Sequence, residues 1–243
     1  LWVLGPYPHS DKFAAFSGIA EEYSRFYKED YIAGFFRSHL PLGLAWKVKT
    51  PIPQRINRTV SVSSYRAPSW SWAAIDHALD VSNANYHTGD DDRVVELLEV
   101  TDTCVELVDP QNKFGPIVHA SLKLSASLLE CSWDNSTEDP DELILKLQIE
   151  DKATVRFDSI EDSQSNQGNV RLMPLAVTRD FDSSDSDSDS LSSFSIDVLI
   201  LRWVQGSTSP VYIRIGAGVI YEIDESSVID LFKSLPREEI ELV

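Results

Sequence analysis

Cysteine is scarce in this chain. Its 243 residues hold two, Cys104 and Cys131, and they match no zinc-ligand spacing. Such a pair of thiols fits a reducing cytosol, the compartment expected here, while a single disulfide between them stays open. Basic residues are also few: 21 Lys and Arg against 39 Asp and Glu give a net charge of −18. A field of that sign repels nucleic acid and anionic membranes, so neither is an expected partner. No apolar run approaches the roughly 20 residues that span a bilayer, and no signal peptide is visible. The histidines, His9, His39, His77, His87 and His119, never fall as H-x-x-x-H or H-E-x-x-H. They read as isolated surface or core residues, and no metal or cofactor is expected. Two glycosylation sequons, Asn57-Arg58-Thr59 and Asn135-Ser136-Thr137, matter only in a secreted chain.

What remains is an ordinary globular composition, 42% hydrophobic and 25% charged, in a chain long enough to bury a substantial core. Its densest feature is Tyr65-Arg66-Ala67-Pro68-Ser69-Trp70-Ser71-Trp72-Ala73. Pro68 pushes Ala67 into an extended conformation. A strand entered this way sets Trp70 and Trp72 on one face and Ser69 and Ser71 on the other. Arg66 supplies planar donors to a carboxylate or to backbone carbonyls. The stretch reads as a packed corner that staples a helical segment before it to a β-rich segment after it.

Before the corner, Phe13, Phe16, Ala20, Tyr23 and Tyr27 fall at helical spacing. Asp30 reads as the N-cap of a second helix carrying Tyr31, Phe35 and Leu40, with Gly34 in its middle marking close helix contact. Pro41 ends that helix, and 47–64 forms a connecting loop, with residues 77–92 a polar surface loop. After it, Leu122–Leu128 and Leu143–Ile149 alternate as half-buried antiparallel strands, and 153–157, 171–177, 194–204 and 211–223 add further strands. A short helix is expected over 227–235 and an edge strand over 240–243. The fold class is therefore α+β, an N-terminal helical segment (1–64) packed on a mainly antiparallel β sandwich or distorted barrel (65–243). Asp- and Ser-rich residues 180–193 read as a disordered acidic loop. Within it Ser184 and Ser186, each with Asp three residues on, are candidate phosphorylation sites.

Several constellations superficially offer chemistry. Asp76-His77 near Ser69 and Ser71 suggests a hydrolase, but no G-x-S-x-G elbow accompanies it, so no catalytic residue is assigned. Trp70, Trp72 and Arg66 suggest a ligand shelf, set against a packed corner. Asp90–Asp92 lacks the spacing of a calcium loop and reads as solvated. Gly216-Ala217-Gly218, inside a strand pattern, reads as a bulge or a close backbone approach.

The corner sequence Y-R-A-P-S-W-S-W-A resembles a signature in the carboxy-terminal half of fungal heterokaryon incompatibility (HET) domain proteins. The resemblance runs in order through Asp11–Ala20, Tyr31–Arg37, Leu44-Ala45-Trp46, Asp109-Pro110 with Phe114-Gly115, and Tyr212-Ile213-Arg214-Ile215-Gly216. It marks Tyr65, Arg66, Pro68, Ser69, Trp70, Ser71, Trp72, Tyr212, Arg214 and Gly216 as a structural signature. It implies a non-catalytic regulatory or scaffold region involved in non-self recognition and programmed cell death. The implied partner is the protein's own N-terminal HET domain, which has no counterpart here, or another protein. The start at Leu1 fits a piece of a longer protein. The alternatives are a ligand-binding β module on the corner and, less favoured by the residues, a hydrolase.

Overall fold

The computed structural model describes residues 12–50, 65–81, 94–130, 132–133, 143–146, 152–164, 170–181, 191–221, 230 and 232–243. The first helix, α1 (Lys12–Tyr27), buries Phe13 and Ala20 on one side, as the spacing predicts. It ends where Lys28 turns left-handed at φ 57°. There the Glu29 N–H returns to Ser24 O at 3.2 Å, the six-residue closure of a Schellman cap.

The expected second helix does not form. Residues 31–36 are a β-hairpin, β1 (Tyr31–Ile32) paired with β2 (Phe35–Phe36). Ala33 and Gly34 make its turn at φ 44° and 108°. Two positive φ values in a two-residue loop match the twist of a hairpin, and Gly34 takes its conformation without a Cβ penalty. Asp30 caps nothing; its carbonyl accepts the Arg37 N–H at 3.0 Å and continues the ladder. Short 3-10 turns follow at Arg37–His39 and Leu42–Ala45, the second wholly buried. Then β3 (Lys47–Val48) pairs with β4 (Leu79–Asp80). This pair replaces loop at the start of both expected loops, 47–64 and 77–92; the rest of them, 51–64 and 82–92, lies outside the described residues.

The remaining strands form one sheet. They are β5 (Val94–Glu96), β6 (Glu99–Leu107), β7 (Ile117–Ser127), β8 (Leu129–Glu130), β9 (Ser132–Trp133), β10 (Leu143–Lys146), β11 (Lys152–Phe157), β12 (Val170–Phe181), β13 (Leu191–Trp203), β14 (Val211–Tyr221) and β15 (Arg237–Leu242), with a short α2 (Ile160–Gln164). The main path runs β5-β12-β13-β14-β11-β10-β9, and β14 also leads through β15 to β7 and β6. The class is α+β and mostly β, with a mainly antiparallel sheet that stays open, so the barrel form of the expectation is not adopted. The terminal strand differs too. β15 is no edge; it lies between β7, antiparallel, and β14, parallel.

Strands β12, β13 and β14 are buried on both faces. Leu199 and Leu201 join one hydrophobic cluster with α1, the hairpin and Trp46. Val198 and Ile200, one residue out of step, join a second with Val155, Phe157 and Phe232. Bulges adjust this alternation. In β12 the register slips between Pro174 and Ala176, so Leu172 and Val177 reach the same cluster despite opposite parity. A second slip opposite Ile200 and Leu201 sets Ile215 out of the ladder of β14. Gly216 and Gly218 lie beside it, where an added Cβ would stand 2.6 Å from Arg156 O and 2.5 Å from Thr154 O. The Gly-Ala-Gly reading, bulge or close approach, holds on both counts. The ends of the expected acidic loop are strand: Asp180 and Phe181 close β12, and Leu191–Ser193 open β13. Residues 182–190, with Ser184 and Ser186, lie outside the described residues, as do Cys131 and Asp90–Asp92. Of the helix expected over 227–235, Asp230 and residues 232–234 are helical, and Phe232 faces inward as expected.

Candidate functional site

The corner is a turn rather than a strand. The Ser71 N–H closes on Pro68 O at 3.0 Å, and residues 72–74 wind into a 3-10 turn capped by the Ser71 hydroxyl, which accepts from Ala73 N at 3.1 Å. Serine's side chain competes for backbone donors in this way and so diverts the chain from an extended run. Trp70 and Trp72 consequently leave in different surroundings. Trp70 is completely buried, its ring 6.0 Å from Phe35. Trp72 is half-buried and stands edge-on to Phe16 at 5.9 Å.

The corner fastens the hairpin. Ser71 Oγ donates to Ala33 O at 2.7 Å and Trp72 Nε1 to Gly34 O at 2.8 Å. Gly34 is needed for space as well as for φ, since a Cβ there would lie 2.7 Å from Trp72 Nε1. Trp46 Nε1 in turn donates to Trp70 O at 3.0 Å. On the sheet side, Tyr65 Oη accepts from Ala120 N at 3.2 Å, and burial pushes its phenol up to about 12.

Arg66 meets the carboxylate expected of it. Its Nη1 donates to both Asp76 oxygens, at 2.8 and 2.7 Å. Lys12 of α1 stands 3.2 Å from the same carboxylate and also donates to Ile75 O. Burial alone would raise the Asp76 carboxyl, but the hydrogen bond and charge of Arg66, joined by Lys12, hold it below the usual carboxylate range. For Lys12 burial prevails over the Asp76 charge and lowers the amine.

Beneath the corner lies Arg214 of β14, fully buried. Its Nε and Nη2 donate to Asp158 Oδ2 and Oδ1 at 3.1 and 3.2 Å, a bidentate pair to an equally buried carboxylate. Its Nη1 donates to Leu44 O at 2.7 Å, its Nη2 also to Trp46 O, and the guanidinium stacks on the Trp46 ring at 3.2 Å. The Arg214 N–H donates to Ser69 Oγ at 2.9 Å, while Ser69 N reaches Val243 O at 3.2 Å and its hydroxyl donates to the same carbonyl. The guanidinium thus joins the turn after the hairpin to the residue following β11, while the Arg214 backbone N–H and Ser69 bring in the corner and Val243. A buried charge is tolerated only with this degree of pairing and hydrogen bonding.

The structure therefore brings Ser69, Trp70, Ser71, Trp72 and Arg214 to one junction, with Tyr65, Arg66 and Pro68 at its margin; Tyr212 joins it through its carbonyl, which accepts from Val243 N, while Gly216 lies against β11. It does not assemble a triad. Ser69, Ser71 and Asp76 are each bonded elsewhere, and none of the described hydrogen bonds links them to exposed His77. Asp158 and Lys12 were missed by sequence reasoning. Asp158 follows a strand with no motif around it, so only the three-dimensional meeting reveals it. Among the described residues, no group of His, Cys, Asp and Glu is placed to hold a metal, and Cys104 is an exposed free thiol. No helix of the described residues is long and apolar enough to cross a membrane. Comparison with protein-family models, with curated proteins and with solved structures finds no match.

Proposed function

We propose that this chain is a non-catalytic scaffold region of a heterokaryon incompatibility family protein, acting inside fungal cells in non-self recognition and programmed cell death. Its partner on this reading is the family's N-terminal HET domain or another protein. The observation that carries it is convergence. The segments that bear the resemblance lie far apart in sequence, yet α1, the 31–37 hairpin, Leu44–Trp46, the corner and Tyr212–Gly216 meet around Arg214 and Trp70. Titratable groups at that meeting, Arg214, Asp158, Arg66 and Asp76, are tied into bonds that hold the chain together. The ligand-shelf alternative draws no support from this geometry, because Trp70 offers no exposed face and Arg66 is held by Asp76.

Expression in a filamentous fungus tests the proposal. The chain alone should leave cells viable, a HET-type domain fused upstream should kill, and Arg214→Met within the fusion should weaken killing. Death that is indifferent to the presence of this chain would refute the reading. An esterase and peptidase screen on the isolated chain addresses the hydrolase. Turnover lost in both Asp76→Ala and His77→Ala, at an unchanged Tm, would establish an enzyme instead.

A further inference from the structure

A groove of about 430 Å³ is lined by Arg37, Pro41, Glu96, Leu98, Glu99 and Arg237 among others, none of them in the corner. That volume is in the range of small-molecule sites. Its charges are not neutralised by one another. Arg237 Nη2 donates to two carbonyls, Leu97 O at 3.1 Å and Ser125 O at 3.4 Å. Among the described residues, Arg37 Nη1 reaches a hydroxyl, Thr103 Oγ1, at 3.5 Å. No described ion pair or hydrogen bond engages the side chain of Glu96 or Glu99, and burial raises the Glu96 carboxyl with no cation offsetting it. Two guanidiniums and two carboxylates thus share one cleft without pairing, over an apolar floor of Leu98 and Pro41, both buried.

The combination selects among ligands. A lone anion would meet the carboxylates and the negative field of the molecule, and a lone cation would meet the guanidiniums. A ligand with one charge of each sign satisfies both. The strands carrying Glu96 and Glu99, β5 and β6, each pair with a single strand on the main sheet among the described residues. We infer that this groove binds a short zwitterionic peptide with apolar side chains, its carboxylate toward Arg37 and its ammonium toward Glu96. The inference is independent of the scaffold reading, since none of these residues belongs to the corner.

Isothermal titration with leucyl-leucine, N-acetyl-leucyl-leucine and leucyl-leucinamide tests it. The free dipeptide should bind at least tenfold more tightly than either capped form. Glu96→Gln should remove the preference over the acetylated form, and Arg37→Gln the preference over the amide, with Tm unchanged in both. Absence of binding at millimolar dipeptide would overturn the inference. So would equal binding of all three compounds, which would reduce the groove to unspecific apolar contact.

Discussion

Arg214 shows what a single residue can fix in this molecule. Its guanidinium fork engages both Asp158 oxygens and two backbone carbonyls while lying on Trp46. Arg214→Met removes the buried bidentate partner of the buried Asp158 carboxylate, and should lower stability by about 3–5 kcal/mol in urea unfolding. A loss under about 1 kcal/mol would show that the pair contributes little. Arg214→Lys keeps the charge but not the fork, and should also be clearly destabilised, because one ammonium cannot reproduce the bidentate and stacked geometry. Asp158→Leu combined with Arg214→Met should recover much of the loss, since well-packed apolar pairs often replace buried ion pairs. Asp76 makes the corner sensitive to acid. Its folded carboxyl titrates below the unfolded value of about 3.9, so its stabilising contribution is complete above that value. It is lost as pH falls through the folded one. As pH is lowered below the unfolded value, Tm should fall less steeply in Asp76→Asn than in wild type; parallel curves would mean that Arg66 and Lys12 do not hold the carboxylate.

At the scale of elements, the hairpin at 31–36 is the instructive case. Tyr31, Phe35 and Leu40 fit a helical period, and an acidic residue before them resembles a cap. Apolar spacing over ten residues does not distinguish a helix from a hairpin followed by a 3-10 turn. The deciding information is partly tertiary: the turn carbonyls of Ala33 and Gly34 are claimed by Ser71 and Trp72, far along the chain. Gly34→Ala should therefore cost about 1–3 kcal/mol, through strain at φ 108° and displacement of the Trp72 ring. A neutral result in thermal melts would mean that the turn relaxes without loss. The same limit applied to the corner. Arg66 and the burial of Trp70 were legible in local chemistry, whereas the Ser71 cap that turns the segment out of a strand depends on a hydroxyl choosing a nearby amide. The long strands β12, β13 and β14 were legible because their apolar runs exceed any local competitor. Strand β6 was not, because one face is dominated by Glu99, Thr101 and Thr103 and its register slips twice.

For the whole molecule, the question is whether the part before the corner and the sheet after it are separable. One apolar cluster contains Phe13 and Phe35 together with Leu124, Leu199 and Ile240. The fully buried Arg214 bonds across the same boundary, to Leu44 and Trp46 on one side and Asp158 on the other. Unfolding the hairpin and its turns alone would expose the sheet face they cover and take the Leu44 and Trp46 carbonyls and the Trp46 ring from the Arg214 guanidinium, so the partly unfolded form is disfavoured. Tryptophan fluorescence, dominated near the corner by Trp46, Trp70 and Trp72, and far-UV circular dichroism, dominated by the sheet, should therefore report the same denaturant midpoint. Arg214→Met removes the cross-boundary tie while leaving the sheet's own hydrogen bonds intact, and is the variant in which the two midpoints should separate, fluorescence first. If wild type already shows two transitions, the segment before the corner docks on an autonomous sheet and the junction binds two bodies rather than making one.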